Sequence, residues 1–453
     1  MTIPISEGIG YEQIHTGQAP GYRGFGQPGE QGTRLLAGPR CESGPESLEG
    51  HLYRLGSLPD VASDRSRFIE MFSRSQLRGR GGSSFPLARK LEVATSVRGL
   101  PLVVVNGSES EPASRKDAVL LQLRPHLVLD GAVLLAQAAG AQEVIVVLHR
   151  GSINSQGSVE KAIAERSSLG MFGPRISVKV GPEHYVSGEA SAVVRMLGGH
   201  DAKPSFNRKP AALFGVSGRP TLVQNVETLA HLALVARFGD EWFKTAGSAR
   251  RPGSTLVTLA GGVCDPGVVL EVTAPVPIRE LLISSGGVSN PPQGLLLGGY
   301  GGGTWLKGSL AWNLLLADEE LTPHGASIGC GLVGVLPPGA CGIIETARLI
   351  NYLARESAGQ CGPCVSGLPV LAQTMSSLAM GEASRRDIAR MHRLAVSITG
   401  RGACRHPDGV IALLESTFAA FSDQVRFHLK GNACAGANHP GVFPIPSEDP
   451  VWR

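Results

Sequence analysis

No run in this chain approaches the ~20 uninterrupted apolar residues of a membrane-spanning helix. The opening stretch, MTIPISEGIGYEQ, has neither the basic segment nor the apolar core of a secretory signal, so the expectation is a cytoplasmic protein. An excess of one charge is missing too. Lys and Arg total 42 against 38 Asp and Glu, and a net charge of +4 gives nucleic-acid binding no support. Cysteine is sparse: eight in 453 residues cannot build a secreted disulfide framework, which favours a reducing compartment where any cluster or reactive thiol is local. Glycine, by contrast, is abundant. Sixty of them, nearly twice the usual ~7 % share, mean that one Gly-rich match counts for little.

The hydrophobic share of 42% and charged share of 18% are those of an ordinary globular protein. Single cores stop growing at roughly 250–300 residues, so a chain of this length forms about two to four compact units. Residues 1–53 are rich in Gly, Pro, Glu and Arg with little apolar periodicity and read as a loosely structured extension. Over 54–250 the pattern alternates. A helix at SRFIEMFSRSQL, a strand at PLVVVNG, one long helical stretch at AVLLQLRPHLVLDGAVLLAQAAG and a strand at EVIVVLHR predict an α/β layer with a mainly parallel sheet. Residues 251–325 are β-like and turn-rich, which suggests a small separate domain. Helices dominate 326–434, with apolar stripes at Leu371, Met375 and Leu378, at Ile388, Met391, Ala395 and Ile398, and at Leu414, Phe418, Phe421 and Val425. Such stripes are core faces. A tail, 435–453, ends the chain.

Four segments could carry chemistry. In QLRGRGGSSFP, residues 76–86, close-set glycines let backbone N–H groups approach an anion, Arg78 and Arg80 add charge, and Lys90 supplies another cation; a solvated Gly-Arg turn explains the same letters. In VVVNGSESEP, residues 103–112, a strand runs into Asn106, Glu109 and Glu111, where open α/β sheets bind ligands; a charged turn is the plain alternative. In HYVSGEASAVV, Tyr185 and Glu189 flank a tight turn at Gly188. In GRPTLVQNVETL, residues 218–229, Gln224 and Asn225 could donate amide hydrogen bonds to a heterocycle, or simply cap a helix.

The pair Cys361 and Cys364, in CGPC, suits a dithiol couple, a zinc knuckle or an iron–sulfur site. A thioredoxin-type motif enters a helix from a strand, whereas this one lies between helices. Cys404 could reach the same point, and three converging thiolates favour a metal or cluster. Cys41, Cys264, Cys330, Cys341 and Cys434 show no ligand spacing and read as packing residues.

In chain order, LRGRGG..FP...K, N..E.EP...KD, Y..GE..A, GRPTLVQNVETL and ES.GQC.PC with the later Cys404 resemble the NADH-binding flavoprotein subunit of respiratory complex I. The diaphorase subunits of NAD-linked hydrogenases and formate dehydrogenases share the pattern, which runs here from about residue 54 to 434. The resemblance implies an FMN-binding α/β layer, then a β-grasp domain, then a helical bundle with a 4Fe–4S cluster. It implies that Gly79, Arg80, Gly81 and Lys90 lie at the FMN phosphate, and that Asn106, Glu109, Gly188, Gln224 and Asn225 lie around the flavin, with Glu109 beside the reacting ring. Phe85, Glu111, Tyr185 and Glu189 would face the nicotinamide nucleotide, and Cys361, Cys364 and Cys404 would hold the cluster.

There are departures. Ala358 stands where the family has a cysteine, so the alternatives are a 3Fe–4S cluster, a 4Fe–4S cluster with a non-Cys fourth ligand such as His406, a site completed by a partner chain, or an empty site. Of the family's aromatic adenine clamp, Phe85 remains, the second ring falls near Val93, and the third has no match around Lys209–Pro210. Ala190 and Ser108 replace acidic residues. The implied function is FMN-dependent electron transfer between NAD(H) and one-electron carriers. Its partners would be a ferredoxin-like protein or other electron-transfer subunits, with a membrane complex reached through them. The alternatives are a flavoprotein that exchanges electrons without NADH and a noncatalytic scaffold; retention of Lys90, Asn106, Glu109 and Asn225 argues against the scaffold.

Overall fold

The computed structural model describes residues 22–25, 33–39, 44–61, 63–171, 173–206, 209–432, 434, 436 and 439–446. A four-stranded sheet organises the first half. Its strands, β2 (Leu102–Asn106), β3 (Glu143–His149), β4 (Arg175–Gly181) and β5 (Thr221–Asn225), run parallel in the order β4-β3-β2-β5. β2 and β3 are near-continuous apolar runs because helices cover both faces of a parallel sheet. The chain winds outward through β2, β3 and β4, then returns to place β5 on the other side of β2. The winding therefore reverses between β2 and β5, and ligands of open α/β sheets bind at the carboxyl ends of such a pair.

The single long helix expected after β2 is two helices, Lys116–Leu123 and Pro125–Ala139, bent by 96° at Arg124. Pro125 is the cause: it suits the first position of a helix but cannot continue one that is already formed. The second of the pair is buried nearly all round, as its uniform apolarity requires. It packs against helix Val226–Lys244 so closely that a Cβ on Gly131 would overlap the backbone of Leu229. No single helix among the described residues is long and apolar enough to cross a membrane.

The second sheet is mixed, ordered β1-β7-β6-β10-β8-β9 from β1 (Tyr22–Phe25), β6 (Thr255–Gly261), β7 (Val269–Val272), β8 (Gly294–Leu297), β9 (Thr304–Lys307) and β10 (Leu332–Leu336). It reaches beyond 251–325 at both ends. β10 lies past residue 325, and β1 comes from the N-terminal segment that composition alone left unstructured. That segment is anchored by Glu271 of β7, whose buried carboxylate accepts the backbone N–H groups of Arg34, Leu35 and Leu36 at 2.9–3.0 Å and the Ser254 hydroxyl at 2.6 Å. Leu35 and Leu36 are fully buried there, and each contributes roughly 1.5–3 kcal/mol of transfer free energy. Helix Leu48–Leu55 likewise straddles the expected start at 54.

Helices Gly342–Arg355, Leu368–Ala379, Arg385–Ile398, His406–Ala420 and Ser422–His428 form the C-terminal bundle. Leu371, Met375, Leu378, Met391, Ala395, Ile398, Leu414, Phe421 and Val425 are buried, while Ile388 and Phe418 are only partly so. The tail then returns to the second sheet: Glu345 accepts Val442 N–H at 3.2 Å and Phe443 N–H at 2.9 Å, and the Phe443 ring packs on Tyr300 and Trp305.

Glu271→Ala leaves buried N–H groups without an acceptor, and the expected loss is about 2–4 kcal/mol of unfolding free energy. Urea denaturation measures it, and Glu271→Gln, which keeps one acceptor oxygen, loses less.

Candidate functional site

The crevice beyond β2 and β5 is where four of the sequence-selected segments meet. Asn106 and Asn225 are register partners at the last positions of their strands, so both side chains leave one face of the sheet. Asn106 Nδ2 donates to the Gly188 carbonyl at 2.8 Å, which brings in the Tyr185–Gly188 turn. Gly188 must be glycine, since a Cβ would lie 2.7 Å from the Ser108 carbonyl oxygen. Asn225 caps helix Val226–Lys244 by accepting Glu227 N–H at 3.0 Å, and its Nδ2 donates to Asp117 Oδ2 at 2.6 Å.

The Gly-Arg loop folds over this crevice. Gly79 N–H closes it on the Phe85 carbonyl at 2.9 Å, and Gly81 lies so near Asn225 that a Cβ would stand 3.2 Å from the Asn225 Cβ. Lys90 Nζ donates to the Val223 carbonyl at 3.3 Å, and burial lowers its pKa. Arg80 does not join them through its side chain. The guanidinium is buried and turns inward, donating to Thr255 Oγ1 and to the Pro252 carbonyl, so only its backbone stays on the loop. Gln224 is also buried, and its Nε2 has no hydrogen-bond partner.

Beneath the crevice lies a buried charged group that was present in the quoted KD and NVETL stretches but not singled out. Lys116 Nζ stands 2.8 Å from Asp117 Oδ1, 3.0 Å from Glu227 Oε2 and 3.5 Å from Asn225 Oδ1. Burial disfavours its charge, but Asp117, Glu227 and Glu109 outweigh that and keep it cationic. Burial pushes the Asp117 carboxyl up to about 6 against the pull of Lys116. For Glu227 burial also works against ionisation, yet Lys116 and His231 hold it well below the usual carboxylate range. Glu109 accepts Ser114 Oγ–H at 2.5 Å, Asp117 N–H at 3.2 Å and Ala118 N–H at 2.9 Å, so its carboxylate holds the start of helix Lys116–Leu123.

Glu111 and Tyr185 meet at the rim. Glu111 Oε2 accepts the Tyr185 hydroxyl at 3.0 Å and Tyr300 N–H at 2.8 Å, while Gly301 N–H donates to the same hydroxyl at 2.9 Å. The glycine run 298–303 makes this possible, because a Cβ on Gly299 would lie 2.9 Å from Glu111 Oε2. Burial pushes the Glu111 carboxyl up to about 7, opposed by the Tyr300 and Tyr185 hydrogen bonds. Glu189 stands apart from this pair: it is exposed and caps helix Ala190–Leu197 by accepting Ser191 N–H at 2.8 Å. Phe85 is partly exposed on the loop, and Val93 packs against the core. Sequence reading missed Phe206, which follows an earlier Lys–Pro step, Lys203–Pro204, and stands 69% exposed.

The cysteines lie across this rim. Glu356, which follows helix Gly342–Arg355, accepts Tyr185 N–H at 2.9 Å and faces His184 Nδ1 at 3.2 Å. Gln360 donates to the Pro204 carbonyl at 2.7 Å. The chain then passes Cys361 and enters a wide π-type turn, Pro363–Gly367, a distortion often found at functional positions. Burial raises the pKa of the Cys364 thiol, with Cys361 and Cys404 adding to the shift, and burial raises Cys404 to about 11 with Cys361 again contributing. The three sulfurs thus lie within electrostatic reach of one another. His406 Nε2 is 2.7 Å from the Leu353 carbonyl, and only Nδ1 has no partner.

Two family models match the chain: the Nuo51 FMN-binding domain over residues 72–234, and the NADH-ubiquinone oxidoreductase-F iron-sulfur binding region over 345–428. The chain is 28% identical to an NADH-quinone oxidoreductase subunit of Streptomyces coelicolor over 400 residues, 86% of this chain and 87% of that one. It is 29% identical over 389 residues to the equivalent protein of Mycobacterium bovis, covering 81% and 85%. Among solved structures, a chain of an air-oxidized NAD+-reducing NiFe-hydrogenase superposes with a TM-score of 0.76 at 25% identity, over 86% of this chain and 70% of that one. The H2-reduced form gives 0.75 at 25% identity, and there the match covers 83% of this chain but 64% of the hydrogenase chain. With both regions present in the same order on the same fold, the chain resembles the NADH-binding FMN and iron–sulfur flavoprotein subunits over most of its length.

Proposed function

We propose that this protein is an oxidoreductase subunit that passes electrons between NAD(H) and one-electron carriers through FMN and an iron–sulfur cluster. One observation carries the reading: the crevice at the β2–β5 reversal and the cysteine loop share a hydrogen-bonded junction, Glu111–Tyr185–Glu356. The residues present fit a flavin mononucleotide, since a glycine loop lies over two strand-end amides and Gln224 Nε2 is buried without a partner. Three convergent thiols fit an iron–sulfur centre. Bound FMN would exchange a hydride for single electrons, and the cluster would carry those onward.

The chain's own groups divide the work. Gly81 presents a backbone N–H and Lys90 a cation to the phosphate, while Gly79, whose own N–H is taken by the Phe85 carbonyl, closes the loop and Arg80 fixes it from below. Asn106, Gln224 and Asn225 orient the flavin ring, and Gly188 lets the turn approach it. Glu109 organises the helix start at the same place. Glu111 and Tyr185 bind the nicotinamide nucleotide, Phe85 and Phe206 offer ring faces to adenine, and Glu189 positions the turn. Cys361, Cys364 and Cys404 hold the cluster, either as 3Fe–4S or as 4Fe–4S with a non-Cys ligand. Ala358 offers no ligand atom, and His406 offers only Nδ1. On this reading the chain works in the cytoplasm beside other electron-transfer subunits, a ferredoxin-like protein among them, and any membrane complex is reached through those partners.

Anaerobically purified protein is expected to show flavin and cluster absorption, and NADH is expected to bleach the flavin bands. A flavin-loaded sample that stays unbleached over minutes would favour the flavoprotein that does not use NADH, and colourless protein would sink both. Cys404→Ala should lose iron and keep FMN; loss of FMN instead would show that the cysteines serve the flavin domain.

Glu111 supplies a pH test. Its folded pKa near 7 lies above the unfolded value of 4.5, so its neutral form stabilises the fold at low pH and that contribution is lost as pH rises through about 7. Glu111→Gln is therefore expected to gain stability relative to the parent between pH 5 and 8, on the order of 1–3 kcal/mol. The rate of NADH-dependent flavin reduction should lose its inflection near 7. Equal pH profiles for the two proteins would remove Glu111 from the nucleotide site.

A further inference from the structure

Cys341 and Cys434, read from spacing as packing residues, are not separate. Cys341 precedes helix Gly342–Arg355, His428 ends helix Ser422–His428, and Cys434 lies in the stretch that follows. Their ligand atoms all lie within 4.8 Å of one another, and Cys341 Sγ is 3.3 Å from His428 Nε2. Cys341 and His428 are buried, while Cys434 is partly exposed. The other ring nitrogen of His428, Nδ1, is buried and has no hydrogen-bond partner. Gln424 Oε1 lies 3.5 Å from Cys341 Sγ while accepting Gly342 N–H at 2.8 Å.

We propose that Cys341, His428 and Cys434 bind one zinc ion, with an oxygen donor, Gln424 or water, in the fourth position. Zinc takes sulfur at about 2.3 Å and imidazole nitrogen at about 2.0–2.1 Å in a tetrahedron, which sets neighbouring ligand atoms roughly 3.5–3.8 Å apart. Cys341 Sγ lies 3.3 Å from His428 Nε2 and 3.5 Å from Gln424 Oε1, close to that spacing, and Cys434 falls within the same 4.8 Å span. An iron–sulfur cluster is a poor occupant, because this group has only two thiols and its geometry closes on a single ion. It is also a different place from the cysteine loop. Cys341 and Cys361 flank opposite ends of a helix of 14 residues, about 21 Å long at 1.5 Å per residue. The matched iron-sulfur region, 345–428, contains Cys361, Cys364 and Cys404 but neither Cys341 nor Cys434.

Binding Zn2+ releases both thiol protons, and the two thiolates balance the ion's charge. The bond would join the end of the last helix and the returning tail to the start of the first helix of the bundle. That is where Glu345 receives Val442 and Phe443, and where Tyr300 donates to the Pro444 carbonyl at 2.9 Å.

The test is elemental analysis of the full chain by plasma mass spectrometry, with iron and FMN measured on the same samples. The parent protein is expected to hold about one zinc per chain, or to take up about one after reduction and dialysis against dilute Zn2+. Cys434→Ser and His428→Gln should each lower zinc at least fivefold while iron and FMN stay, whereas Cys404→Ala should lower iron while zinc stays. Should Cys434→Ser fail to fold, Cys434→His keeps a ligand and should keep zinc. A reduced parent protein that takes up no zinc overturns the proposal. So does a folded Cys434→Ser that retains it, or a Cys341–Cys434 disulfide found in anaerobically isolated protein.

Discussion

The buried ion pair between Lys116 and Glu227 is the constraint on which the rest of the molecule depends. Both residues stand at helix starts beside the crevice, one after β2 and one after β5, so their attraction fixes the strand ends that hold Asn106 and Asn225. Glu227 reaches further. Its other oxygen accepts Leu256 N–H at 3.1 Å, which ties the parallel sheet to β6 of the mixed one. Arg80 bridges the same gap from the Gly-Arg loop to Thr255 and Pro252. Removing charge from water is costly, and a pair like this persists only where hydrogen bonds satisfy what remains. Here the satisfied partners are the site itself, so the floor of the crevice and the joint between sheets are the same few residues.

A second junction couples the far side. Tyr185 gives its hydroxyl to Glu111 and receives Gly301 N–H, while its backbone N–H goes to Glu356. One turn therefore touches the parallel domain, the glycine run of the mixed sheet and the bundle. Displacement of any of the three would be felt at the hydroxyl. The glycines of 298–303 serve this contact by letting the backbone lie directly on two side chains.

Much of this could be read from letters alone, and the failures have physical causes. Strand-end asparagines were visible because an apolar run that stops in polar residues marks a sheet edge, and the structure adds their pairing. The direction of Arg80 was not visible, since an arginine beside glycines looks exposed until the second sheet supplies its carbonyl. Glu109 and Glu189 are held by helix starts, a use that spacing cannot separate from ligand binding. The break at Pro125 was written in the sequence but outvoted by apolar periodicity on both sides. Cys341 and His428 are 87 residues apart and carry no local signature, because only the packing of the last helix against the start of the first brings them together. Phe206 stands between two Lys–Pro steps, Lys203–Pro204 and Lys209–Pro210, and the letters alone do not tell which of them marks the aromatic position.

The order of strands in the mixed sheet has a consequence for how the chain is made. Among the described residues β10, between β6 and β8, is the last strand synthesised, and β1, paired to β7, is the first. The parallel sheet can form as soon as β5 emerges, but the edges of β6 and β8 stay open until residue 336 is out. β1 must wait for β7 with its partner edge unpaired. Long-range pairing of this kind is slow, and open strand edges attract other chains meanwhile. The nascent protein thus passes through a stage with one finished domain and one half-built sheet, when it is most vulnerable to aggregation and most in need of a chaperone.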